Sequence, residues 1–460
     1  MALWTSLRSA FVILSLIVAE VVEASAYNNM RDNGVWVFCL GAAVLGLLRR
    51  MTMDSGSTAF MLMCTVLVFI MTPGLGFFYG GLGRRKNVVS NMMNSVSIMG
   101  LGILLWVLVG YTMVFGGDGL IIGGFRKICL AAVSAESLSG VIPEYVFVAF
   151  QMMFALITPA IITGSLAGRM KFKALFPFIA LWSVFVYYPI AHMVWGEGGL
   201  LGEGWLNSVD FAGGNAVHIA SGASGLVLCL LLGKRHGYET QSYRIHNIPF
   251  VMLGMGLLWF GWFGFNAGSA LAASGLAAHA LMTTAISAAA AMLVWLAIDV
   301  SVSGKPTLIG ACTGAIAGLV GITPGAGFVP IWAALLTGML VSPICYASII
   351  LIKRKLRIDD ALDAFGCHGI GGIFGGLMVG LFADPAVNGI TGMFYGDSAQ
   401  FGRQIVAIII TIIMAGTGTY VCAKVVSLFT ALRVDQRDEL IGLDMSEHGE
   451  SAYPSYNGLD

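Results

Sequence analysis

Two histidines lie inside long apolar stretches of this sequence. His218 sits in Asn215-Ala216-Val217-His218-Ile219-Ala220, and His368 in Phe365-Gly366-Cys367-His368-Gly369-Ile370. An ionisable side chain in such a setting is costly and is usually paired or functional. A lone buried histidine is more often structural, but these two have matching surroundings. Each is followed by glycine at +4 and +7: Gly222 and Gly225 in one case, Gly372 and Gly375 in the other. Burial disfavours the charged imidazole, so both rings are expected to be neutral. If one ring nitrogen donates to the other, both tautomers are fixed without any charge. Such a pair can line a pore and pass a proton. A metal site is the competing reading, yet no third Cys, His or carboxylate accompanies the pair, and no cofactor is expected.

Asp210 opens Asp210-Phe211-Ala212-Gly213-Gly214 just before the His218 stretch. It reads equally as a helix N-cap, taking up free backbone N–H groups, and as an acid that holds a cation nearby. Asp363, ahead of His368, reads as the cap and anchor of the matching helix end. Phe150 and Phe154 are four apart, so they share one helix face, while Trp195 and Phe265 fall near the ends of apolar stretches. Aromatic stripes are usually core or interfacial belts. Ring faces can also bind an ammonium ion, at about 2 kcal/mol or more per desolvated contact, and the Ser269 hydroxyl can accept one of its hydrogen bonds. We find no nucleophile–base pair and no phosphate loop, so an enzyme is not expected.

These residues need apolar helices to carry them. Of the 460 residues, 58% are hydrophobic and 10% charged, against about 25% charged in soluble domains. A span needs roughly 20 apolar residues, and eleven stretches qualify, near 57–80, 88–114, 141–167, 173–196, 214–233, 247–268, 276–300, 306–321, 328–352, 368–383 and 401–430. Glycine, at 61 residues, suits helices that pack closely in lipid. The eight cysteines form no CxxC pair and read as small apolar residues. Net charge is zero, which gives no ground for a nucleic-acid partner.

Lys and Arg mark orientation. Odd-numbered connections hold Arg84, Arg85 and Lys86, then Arg169, Lys171 and Lys173, then Lys234, Arg235 and Arg244, then Lys305, then Lys353, Arg354, Lys355 and Arg357. Even-numbered ones hold only Arg126, Lys127 and Arg403. Positive loops stay inside, so the C-terminal tail is expected in the cytoplasm. Ahead of the core, Arg8, the apolar run Ala10 to Ala19 and Ala24-Ser25-Ala26 have the pattern of a signal peptide over 1–26, with an uncleaved anchor helix as the alternative. After processing, the N-terminus would lie outside. Residues 27–56 form an extension whose run Val35 to Leu48 is short for a span. The membrane domain is 57–430 and the tail 431–460. The histidine pair, together with Gly76-Phe77-Phe78-Tyr79-Gly80 and Gly264-Phe265-Asn266-Ala267-Gly268, indicates two related halves of five spans each. An odd number of spans per half makes the repeat inverted, an arrangement that places a substrate path at the interface of the halves.

Met71-Thr72-Pro73-Gly74 through Gly81, Ala191-His192-Met193-Val194-Trp195-Gly196, Asp210 through His218, Gly261 through Ser269, and Phe365 through Gly369 occur in an order that resembles the ammonium transporter family (Amt/Mep/Rh), bacterial type, over about 54–450. The resemblance implies an all-α integral membrane fold of eleven helices, an inverted 5+5 repeat plus a long final helix, assembled as a homotrimer with one pore per subunit. It implies ammonium or ammonia as substrate, with methylammonium as analogue, and nitrogen uptake across the cell membrane. Phe154, Trp195 and Ser269 match the outer site that recruits ammonium. Phe150 matches a neighbouring aromatic, and Asp210 the acid that supports recruitment and deprotonation. Phe154 and Phe265 match the stacked gate, and His218 and His368 the twin histidines of the pore. The tail, Arg433 through Ser451, resembles the family's cytoplasmic segment, and bacterial members are often shut by a PII-type regulatory protein. One departure is Gly168, where an acidic residue is common; it leaves Arg169 without that partner.

Overall fold

The computed structural model describes residues 53–453 apart from 239, 241 and 242. The expected signal peptide, the apolar run 35–48 and the last residues of the tail lie outside them. Among the described residues, eleven helical segments are long and apolar enough to span a membrane: α1 (Ser55–Leu82), α2 (Arg85–Phe115), α3 (Glu144–Leu166), α4 (Phe172–Trp195), α5 (Gly214–Leu232), α6 (Ile248–Gly268), α7 (Gly275–Ser303), α8 (Leu308–Gly325), α9 (Ile331–Lys355), α10 (Phe365–Phe382) and α11 (Ser398–Ser427). They match the eleven stretches expected from hydropathy to within a few residues at most ends. A small hairpin, β1 (Leu138–Ser139) and β2 (Ile142–Pro143), precedes α3.

Local sequence sets several of these boundaries. The Asp54 side chain accepts from the Ser57 N–H at the start of α1, and Thr307 and Asp397 cap α8 and α11 in the same way. Each supplies an oxygen to a helix N–H that has no intrahelical partner. Large apolar side chains such as Leu62, Val66, Leu104, Phe185, Leu293 and Ile413 are exposed on the outer surface of the bundle. In lipid these faces cost nothing, because the backbone polar groups behind them are already paired within their helices.

α5 and α10 are related by an offset of 150 residues and begin alike. Each opens with a π-helical turn, Gly214–Ile219 or Phe365–Gly369, that carries the histidine. Each continues as a 13-residue α-helix, Ala220–Leu232 or Ile370–Phe382. Wide turns of this kind are frequent at functional sites. The glycines four residues after each histidine let the two helices touch backbone to backbone. A Cβ on Gly222 would meet the Gly369 N and Cα at 2.4 and 2.5 Å, and one on Gly372 would meet the His218 Cβ at 3.0 Å.

Arg169 is fully buried. Its guanidinium reaches Asp359 at 2.7 Å and the Ser165 carbonyl at 2.8 Å, so Asp359, from the α9–α10 connection, fills the role that Gly168 leaves open. Arg235 holds the other face of the same carboxylate at 2.6 Å. The tail completes this end of the bundle. Glu439 in α12 (Gln436–Ile441) pairs with Arg433 and accepts from the His236 N–H. Asp444 accepts from the Ser90 N–H near the start of α2, and Glu447 from the Phe172 N–H at the start of α4. Neither α2 nor α4 has a side-chain cap of its own, so the tail supplies both.

Burial alone would raise the Asp359 carboxyl, but the Arg235 and Arg169 guanidiniums bring it below the ordinary carboxylate value. A depressed acid contributes stability that is present above its unfolded value of about 3.9 and is lost as pH falls through the folded value. The thermal midpoint of the detergent-solubilised protein should therefore fall as pH drops below about 4, and Asp359→Asn should flatten that limb. At pH 7 the variant should lose about 3 kcal/mol, because two buried guanidiniums lose their countercharge. A variant as stable as the parent at pH 7 would refute the clamp.

Candidate functional site

The π-helical turns bring the two histidines together. The Nδ1 atoms of His218 and His368 are 3.2 Å apart, with ring centroids at 5.3 Å. One nitrogen donates and the other accepts, so the contact needs no charge. The His218 Nε2 is buried and has no partner among the described residues.

Asp210 is what shapes the first of these turns. Its two carboxylate oxygens accept from the backbone N–H groups of Gly213, Gly214, Asn215 and Ala216, at 2.8, 2.6, 2.7 and 3.3 Å. Burial pushes the carboxyl above its ordinary value, against the pull of those four N–H groups. The capping reading of Asp210 is therefore the one realised in side-chain contacts. Its backbone carbonyl accepts the Trp195 indole N–H at 2.9 Å, which fixes that ring at the end of α4.

In the second half the cap is Asp360, not Asp363. The Asp360 carboxylate accepts from the N–H groups of Phe365 and Gly366 at 2.9 and 3.2 Å, and from the Ser165 hydroxyl at 2.8 Å. Asp363 instead pairs with Lys353 at 2.6 Å. Only Asp360 stands eight residues before its histidine, as Asp210 does. That spacing was available in the sequence as the signal separating the two acids.

Aromatic rings lead from Trp195 to the histidines. Phe154 meets Trp195 edge-on at 5.7 Å and stacks on Phe265 at 4.2 Å and 29°; Phe265 lies 6.3 Å from the His218 ring. Phe150 packs against Phe154 at 5.1 Å and is fully buried. It fills the space beside Gly268, where a Cβ would approach its ring to 2.6 Å. Ser269 is half-buried at the end of α6. Its hydroxyl donates to the Phe265 carbonyl at 2.9 Å, which leaves the oxygen lone pairs free to accept. One further ring belongs to the set. Trp262 stacks on His218 at 5.4 Å and 23°, and its indole N–H is taken by Thr323 at 2.8 Å. It lies one turn from Phe265 on α6, inside the Gly261–Ser269 motif, and that position was the hint the sequence carried.

Below the stacked rings, His218, His368, Trp262 and Phe265 line a narrow cavity whose other walls include Ile157, Val217 and Ile316. Among the described residues, the imidazoles are its only ionisable lining groups. Its free volume of about 10 Å³ is close to the minimum for one water-sized molecule. A bare cation there would lose its hydration with little in return.

Residues 59–453 match the model of the Ammonium Transporter Family. The chain belongs to that family. It is 47% identical over 405 residues to an ammonium transporter of Bacillus subtilis, covering 87% of this chain and 99% of the relative. Among solved structures, Mep2 of Candida albicans aligns with a TM-score of 0.78 at 32% identity, over 88% of this chain and 92% of the other. A protein described as a sensor Amt aligns with a TM-score of 0.78 at 26% identity, over 85% and 98%. This family member is accordingly a multi-pass membrane protein of ammonium transport, not an enzyme.

Proposed function

We propose that ammonium is recruited at the mouth formed by Phe154, Trp195 and Ser269, loses a proton there, and crosses as ammonia past His218 and His368. The observation that carries this reading is the unbroken run of rings from Trp195 through Phe154 and Phe265 into a narrow, mostly apolar cavity lined by the two histidines. Ring faces attract the cation, and the Ser269 oxygen takes one of its N–H bonds. Phe150 and Asp210 act by position: one backs the Phe154 ring, and the other holds Trp195 and the His218 turn. The stacked Phe154 and Phe265 gate the passage. Potassium is close to ammonium in size but has no proton to give up, so the narrow segment excludes it while ammonia passes. The proton is carried separately or returned. In this reading the Trp195 mouth faces outside, and the C-terminal tail lies in the cytoplasm, where a PII-type protein can reach it. The subunit works in a homotrimer in the cell membrane.

The test is uptake and current measured together on reconstituted protein with ammonium and methylammonium. Trp195→Leu should raise the half-saturating concentration roughly thirtyfold, the loss of one desolvated cation–π contact of about 2 kcal/mol, with maximal rate less affected. Unchanged half-saturation would remove Trp195 from recruitment. Ammonia flux without any saturable step would favour a neutral-gas channel.

A further inference from the structure

We propose that Thr323 is a positioning residue that keeps the histidine pair closed to ions: through the Trp262 indole it sets the plane of the His218 ring. The inference rests on the reading above, in which ammonia passes the two imidazoles, and adds a residue that lies outside the path. The Thr323 hydroxyl donates to the Leu319 carbonyl at 2.7 Å and accepts the Trp262 indole N–H at 2.8 Å. Its own proton is committed, so its oxygen faces the indole as an acceptor. Both side chains are buried, and Thr323 is not among the residues lining the cavity, whereas Trp262 is. The bond therefore acts from behind. It pins the indole at one edge while the flat of the same ring lies on His218 at 5.4 Å and 23°. Without it the indole can turn about its side-chain bonds, and His218 loses the surface that fixes its tilt.

The turn that carries Thr323 is itself wedged between the two histidine helices. α8 gives way there to a 3-10 turn, Thr323–Gly325. The Pro324 carbonyl accepts the Phe211 N–H at 3.0 Å, one residue past the Asp210 cap. A Cβ on Gly214, where the His218 turn begins, would meet the Pro324 ring at 2.5 Å, and one on Gly375 of α10 would meet it at 2.9 Å. The Thr323 oxygen is thus fixed relative to the backbones that carry both histidines. The two imidazoles are not held equally. His218 has Trp262 and Phe265 stacked against it at 23° and 26°, and among the described residues His368 meets no ring but His218. His218 is the fixed member of the pair, and the His368 Nδ1 aligns to it at 3.2 Å. While that bond holds, the accepting Nδ1 has no lone pair to offer a cation. Releasing the His218 ring exposes that lone pair to the cavity.

The experiment compares potassium and methylammonium flux in proteoliposomes, as a ratio that does not depend on how much of the protein is active. Thr323→Val keeps the shape and removes the acceptor. It should raise the potassium-to-methylammonium ratio about fivefold, the loss of one hydrogen bond. Half-saturation by methylammonium, set at Trp195, should shift less than about twofold. Thr323→Ser keeps the oxygen and should recover the parent ratio. Trp262→Phe keeps a ring on His218 and strands no buried donor, so it serves where Thr323→Val fails to fold. It should show the same rise, and adding Thr323→Val to it should change nothing further. A parent-like ratio in Thr323→Val or Trp262→Phe, a Thr323→Ser protein as leaky as Thr323→Val, or a further rise in the double variant overturns the role given to Thr323. Potassium exclusion that survives replacement of both histidines by glutamate would instead overturn the passage reading beneath it.

Discussion

Potassium should pass through a variant in which His218 and His368 are both replaced by glutamate. In the parent, the cavity beside Phe265 offers a bare ion apolar walls and two imidazoles already turned toward each other. Two carboxylates would supply the countercharge that the apolar walls withhold. A carboxylate about 4 Å from a cation is worth about 4 kcal/mol at an effective dielectric of about 20, so the permeability of potassium relative to ammonium should rise at least about tenfold. The check is potassium current and methylammonium flux on the same reconstituted sample, with gel filtration to show an intact assembly. Replacing one histidine alone should do less. The remaining imidazole would then donate to the new carboxylate and hold it in place. If the double variant stays as selective as the parent, the histidines are not what keeps the path closed to ions.

Asp210→Ala should be the most damaging single change ahead of the pore. It removes the acceptor of four buried backbone N–H groups at once. Helix caps are worth up to about 2 kcal/mol, and buried donors left unpaired cost about 1–3 kcal/mol each. A loss of at least about 2 kcal/mol is therefore expected, read as a lowered thermal midpoint in detergent. Asp360→Ala should also destabilise, but less, because its carboxylate serves two backbone donors and one hydroxyl. Asn at either position should fall between Ala and the parent, since its amide keeps one oxygen but turns an NH2 toward backbone donors. Uptake should separate the two sites. The Asp210 variants should lose affinity through Trp195, whose indole bonds to the Asp210 carbonyl, while Asp360 variants keep it. An Asp360→Ala protein less stable than Asp210→Ala would reverse this ranking.

Much of the arrangement was legible in the chain itself. Apolar length placed all eleven spans because lipid demands continuous apolar runs, and that demand holds residue by residue along one segment. The histidines stood out for the complementary reason: few ionisable groups lie in such runs, and these two share glycines at +4 and +7. Their meeting followed from the inverted repeat, and the chain places them 3.2 Å apart.

What the tertiary structure alone decided were the choices between near neighbours in sequence. Asp360 and Asp363 are three residues apart and both precede α10, yet one caps the helix and the other pairs with Lys353. Arg169 finds its countercharge 190 residues away in Asp359, so no local motif could reveal it. Trp262 becomes part of the site only because α6 brings its face against His218. Membrane insertion depends on composition summed along one stretch, which a sequence displays directly. Partner choice depends on distances across helices, which exist only once those helices have packed.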